Sequence, residues 1–124
     1  MYKLLLIALG GAAGTLARYG THVVARGVSE RSNFPIATLV VNLAGCLLIG
    51  FLQGLLVERL NVREEFRLAI VVGFLGGFTT FSTFGWDTAA LFRDGHVARA
   101  ALYVVASNVI GIVFVFAGYA LSRA

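Results

Sequence analysis

Between residues 73 and 84, Gly73-Phe74-Leu75-Gly76-Gly77-Phe78-Thr79-Thr80-Phe81-Ser82-Thr83-Phe84 sets three glycines, four hydroxyls and four aromatic rings in a stretch otherwise apolar enough to cross a membrane. In hydrocarbon an unpaired backbone carbonyl or amide costs several kcal/mol, so irregular backbone survives only where protein buries it or a wet cavity adjoins it. The composition predicts a broken membrane helix, and a broken helix frees groups that can hold ions. Phe81 and Phe84 are three apart and share a face if the chain there is helical. Aromatic rings carry a positive edge, so two such edges with an amide and a few hydroxyls make an anion path that lacks a full charge to trap the ion. Weak, repeated sites let an ion enter and also leave. The carbonyls of Gly76 to Thr80 would equally suit a hard cation, as unwound transporter helices hold sodium. Packing accounts for most of the ten phenylalanines; the neighbouring hydroxyls single out Phe81 and Phe84.

Two further stripes belong with this segment. Thr38, Asn42, Cys46, Gly50 and Gly54 recur every four residues and so fall on one helix face. Gly50 and Gly54 suit a packing seam or a pathway equally, whereas the Asn42 amide is costly to bury unpaired and favours a pathway. Tyr103, Ser107 and Gly111 repeat the spacing, with Asn108 close to their face. Arg18 is the one charge well inside its apolar window, and suits either a cap on loop carbonyls or a lure for anions at a pore mouth. No Asp, Glu or Lys stands deep in an apolar window, Asp87 being nearest. Proton-coupled carriers use such titratable relays, so passive conduction is favoured over coupled transport.

The elements that must position these residues follow from composition. The chain is 59% hydrophobic with a mean hydropathy of +0.88 and only 13% charged residues, against about a quarter charged in soluble domains. A spanning helix needs about 20 apolar residues. Four windows meet that need: Leu4 to Ala25, Ile36 to Val57, Leu68 to Phe92 and Val97 to Leu121. The expected fold is a single all-α membrane domain of four transmembrane helices, the third broken near its middle. The first window also resembles a signal peptide, but Gly10, Gly14, Ala13 and Ala17 at helical spacing suit close packing, and a retained helix is expected. With one cysteine, Cys46, there is no disulfide framework. His22 and His96 fall near window edges without a nucleophile or acid to form a relay, so an enzyme is not expected.

Orientation in a membrane follows the excess of Lys and Arg on the cytoplasmic side. The side holding both termini carries Lys3, Arg59, Arg63, Arg67 and Arg123, and the other carries Arg26, Arg31, Arg93 and Arg99. Five against four is almost no bias. The count predicts a chain that inserts both ways, and an antiparallel pair of such chains would mimic the inverted repeats of larger transporters.

Gly11-Ala12-Ala13-Gly14 with Arg18-Tyr19, Pro35 leading to Thr38-Leu39-Val40-Val41-Asn42 and Gly45, and above all Gly76-Gly77-Phe78-Thr79-Thr80-Phe81-Ser82-Thr83-Phe84 resemble the Fluc (CrcB) family of fluoride channels over essentially the whole chain. The resemblance implies an antiparallel, dual-topology homodimer in a bacterial inner membrane, exporting fluoride passively, with lipid and a second copy as partners and no nucleic acid. It implies that Phe81, Phe84, Asn42, Tyr103 and Ser107 line the fluoride pathway, that Thr38 extends it, and that backbone carbonyls of Gly76 and Thr79 hold a structural sodium ion at the interface. Arg18 matches a basic position at a vestibule. Gly111 departs from members that carry a hydroxyl one turn beyond Ser107, which would shorten the polar track. The rival readings are a small dual-topology multidrug exporter, which would need a buried carboxylate, and a non-conducting assembly protein whose glycine stripes only pack helices.

Overall fold

The computed structural model describes residues 1–124. The chain is helical throughout and contains no strand. Four stretches are long and apolar enough to cross a membrane, Tyr2–Ser32, Ile36–Arg59, Glu64–Arg93 and Val97–Arg123. We label them α1 (Tyr2–Ser32), α2 (Ile36–Arg59), α3 (residues 64–78) with α4 (Phe81–Arg93), which together make the third span, and α5 (Val97–Arg123).

Each helix overshoots its apolar window, α1 the most, running past Ala25 to Ser32. Helical hydrogen bonding is local and does not stop where side chains turn polar, so Arg26, Glu30 and Arg31 ride on the extension. What stops it is Asn33, left-handed at φ 49°, whose N–H bonds the Glu30 carbonyl while that of Phe34 bonds Ser29. Pro35 follows and bars the helical conformation for the residue before it.

Two seams hold the spans together, α1 on α3 and α2 on α5. Both depend on glycine. A Cβ at Gly14 would strike the Phe74 carbonyl across the first seam, and one at Gly50 would strike the Val115 carbonyl across the second. Gly54 abuts Ser122 on the same face. Of the two uses open to Gly50 and Gly54, the packing seam is the one observed. Gly111 belongs to it too: it is buried, and an added Cβ would lie 3.3 Å from Cys46 Sγ.

The ends of the second seam are tied by polar contacts. At one end Arg59 Nη1 donates to the Ser122 carbonyl (2.7 Å), and Glu58 accepts from Tyr119 Oη (2.8 Å) and Arg123 Nη1 (3.2 Å). At the other, Asn33 Nδ2 donates to His96 Nε2 (2.9 Å). Residues 53–59 and 69–75 are wound as π-helix. Such widened turns re-aim the side chains beyond them, and the second leads directly into Gly76. Only 17 of 124 residues are buried, so most apolar surface faces outward, as a bilayer or another chain requires.

Candidate functional site

Between α3 and α4 the backbone leaves the helical region for two residues, Thr79 (φ −82°, ψ 157°) and Thr80 (φ −151°, ψ 117°). Asn42 reaches across from α2 to hold them. Its Oδ1 accepts from the Thr80 N–H (2.8 Å), and its Nδ2 donates to the Thr80 carbonyl (3.0 Å). Because an N–H must meet an oxygen and a carbonyl must meet a donor, the backbone itself sets the orientation of the amide. Thr80 then caps α4: its Oγ1 accepts from the Thr83 N–H (3.2 Å) and donates to Thr83 Oγ1 (3.1 Å). Thr79 Oγ1 turns back to the Leu75 carbonyl (2.8 Å).

Beside this junction lies a cavity of about 410 Å³. Asn42, Phe81, Phe84 and Ser107 border it, as do Gly76 and Thr79, so six of the expected site residues converge there. Its lining contains no charged side chain. Phe81 is 82% exposed and Gly76 is exposed as well, so the cavity lies on an outer face of the protomer. Ser107 Oγ is sealed from solvent and has no hydrogen-bond partner. Cys46, Thr80 and Asn108 also border the cavity.

Tyr103 and Thr38 are not in that lining. They sit deeper, behind Phe84, which joins the two groups. Ring centroids run from Phe81 to Phe84 (5.6 Å), to Tyr103 (5.1 Å), and to Phe34 (5.6 Å, edge-on). Tyr103 is fully buried and its Oη donates to Asp87 Oδ2 (3.1 Å). Thr38 is 2% exposed. His22 meets it: Nδ1 lies 3.0 Å from the Arg18 carbonyl and donates there, and in that tautomer of the neutral ring Nε2 accepts from Thr38 Oγ1 (3.3 Å). Arg18 is half-buried.

Asp87 and His22 were noted in the sequence but not as partners of the site, and the structure ties them to Tyr103 and Thr38. Asp87 follows Phe84 by three positions on α4 and shares its face; that spacing was the available signal. It lies within the third span and is half-buried, deeper than its place near the end of the apolar window suggests. Nothing in the spacing of His22 points to Thr38, because the contact joins two helices.

Four helices long and apolar enough to cross a membrane, with an uncharged cavity on one outer face, define a multi-pass helical membrane protein. A family profile described as "CrcB-like protein, Camphor Resistance (CrcB)" matches residues 5–119, and the chain belongs to that family, as the motif resemblance implied. Relatives named fluoride-specific ion channel FluC include one from Solibacter usitatus, 50% identical over 98% of both chains. Another, from Agrobacterium fabrum, is 46% identical over 99% of this chain and 98% of its own. A third, from Methylobacillus flagellatus, is 42% identical over 99% and 96%. These relatives are named as ion channels, not enzymes.

Proposed function

We propose that this chain is a fluoride-selective passive channel that lets fluoride leave the cell down its gradient. The observation that carries the reading is the convergence of Asn42, Phe81, Phe84 and Ser107 on one cavity without a charged group in its lining. Asn42 has two amide hydrogens and spends one on the Thr80 carbonyl, so one donor is left for an anion. The edges of Phe81 and Phe84 add weak donors. Ser107 borders the cavity and its Oγ has no partner, so its proton is uncommitted. Beyond Phe84, Tyr103 and Thr38 would continue the track by turning their single protons from Asp87 and His22 to the passing anion, and Arg18 raises the local anion concentration at its mouth.

Two copies inserted in opposite senses form the working unit in this reading, in a bacterial inner membrane. The near-balanced charge count supports it, as do the amides and hydroxyls of a cavity lying on an outer face, where lipid would be a poor partner for them. The donor set at the break fits a sodium ion. In a continuous helix the Gly76 carbonyl would accept from the Thr80 N–H and that of Thr79 from the Thr83 N–H; here Asn42 Oδ1 and Thr80 Oγ1 take those donors. Two carbonyls are thereby freed, hard oxygen ligands that a second copy would double. A sodium ion held there would supply a fixed positive charge between the copies.

The test is efflux from liposomes holding the purified protein, followed with fluoride and chloride electrodes under a potassium ionophore, with the pH equal on both sides. Rapid fluoride loss with chloride retained is expected. No fluoride flux from a folded dimer, either at equal pH or in a repeat with a pH step across the membrane, would return the chain to the assembly-protein reading, and flux that appears only with the pH step would favour an exporter built on Asp87.

A further inference from the structure

Resting on the channel reading above, we infer that Asn42 is a positioning residue for the cation site as well as a donor to the anion path, so that one side chain serves both ions. Thr80 carries the argument. Its N–H is the donor that would close a turn onto the Gly76 carbonyl, and Asn42 Oδ1 holds it away at 2.8 Å. The return bond from Asn42 Nδ2 to the Thr80 carbonyl, at 3.0 Å, fixes the residue in its extended conformation. Only in that conformation does Thr80 serve as an N-cap, its Oγ1 taking the Thr83 N–H from the Thr79 carbonyl. The freedom of both carbonyls therefore traces to a single amide on α2. The same amide borders the cavity with Phe81, Phe84 and Ser107, and its second Nδ2 hydrogen points to no protein acceptor.

Removing the side chain leaves the Thr80 N–H without its partner. The nearest remedy is the ordinary helical one, a bond back to the Gly76 carbonyl, which takes that oxygen from the cation. An aspartate differs from alanine: it keeps an acceptor for the Thr80 N–H, hence the freed Gly76 carbonyl, but it loses the return bond to the Thr80 carbonyl and has no hydrogen for fluoride.

The experiment compares wild type, Asn42→Ala and Asn42→Asp in detergent, as intact dimers. Melting temperature is recorded with sodium chloride and with N-methylglucamine chloride at equal ionic strength, beside fluoride efflux from liposomes. Expected are a sodium-dependent rise in wild type and Asn42→Asp, no rise in Asn42→Ala, and loss of fluoride flux in both variants. A sodium-dependent rise that persists in Asn42→Ala overturns the inference and leaves the channel reading intact. If Asn42→Ala does not fold, Asn42→Asp decides alone, and a lost sodium rise there overturns the inference. Wild type that conducts fluoride but melts alike in both salts removes the sodium site and this role of Asn42 together, while the fluoride reading stands.

Discussion

Ser107→Ala separates a pore hydroxyl from a structural one, because the two roles move stability in opposite directions. Ser107 Oγ is sealed from water without a hydrogen-bond partner, and a buried hydroxyl in that state costs about 1–3 kcal/mol. Alanine deletes the oxygen and keeps Cβ, so packing is nearly unchanged. The variant should be more stable than wild type by about 1–3 kcal/mol in fluoride-free buffer. The same change removes an uncommitted donor from a residue that borders the cavity, so fluoride efflux should fall. Fluoride should then narrow the stability gap, since a ligand stabilises the form that binds it, by RT ln(1 + [L]/Kd), and wild type would bind it better. The assay is SDS-driven unfolding in mixed micelles read by circular dichroism, with efflux from liposomes at matched protein density. A variant that unfolds more readily than wild type and conducts as well would refute the reasoning, for it would mean that the hydroxyl is satisfied and only packs.

Phe81→Ile keeps bulk but loses the ring edge, and fluoride efflux should fall about tenfold, the factor given by ~1.4 kcal/mol of barrier; electrode traces at wild-type rate would assign Phe81 to lipid contact. Gly50→Val drives a side chain into the Val115 carbonyl across the α2–α5 seam and should destabilise the fold by about 1–3 kcal/mol, measured by the same SDS unfolding. Gly76→Ala meets nothing within 4 Å in the protomer, and its backbone there is helical (φ −62°, ψ −38°), so α-helical content should hold. If a second copy packs at the break, however, chemical cross-linking should show dimer lost, and unaltered dimer would move the interface elsewhere. Two lysines added to one side should bias insertion and reduce flux, with recovery on co-expression of an oppositely biased copy; full activity of either copy alone would argue against an antiparallel pair.

The four spans were legible because hydropathy over about 20 residues is a bulk property that survives errors at either end. Family membership was legible because the run from Gly76 to Phe84 is long and compositionally unusual. The end of α1 was not, since the residues past Ala25 are polar yet helical and the stop lies in the left-handed Asn33. The polar ties of the site were hidden for a different reason. Asn42 to Thr80, Tyr103 to Asp87 and Thr38 to His22 all join different helices, and helical periodicity reports only which residues share a face. The ambiguity of Gly50 and Gly54 had the same origin: a stripe of small residues reads alike whether a helix or an ion lies against it.

In the proposed channel, a chain of this shape would supply one wall of a pathway. Phe81 stands on an outer face, and Gly76 has open space beside it. Buried in lipid, the freed carbonyls of Gly76 and Thr79 would each lack a partner at a cost of several kcal/mol. Water relieves that cost only if a second surface shelters it from the acyl chains, and a cation relieves it only if further oxygens complete its shell. A second copy meets both needs with the same residues, and an inverted copy also presents the same mouth to either side of the membrane. A helix broken on an outer surface and a charge count too even to choose an orientation are otherwise unrelated oddities, and the proposed antiparallel pair would account for both.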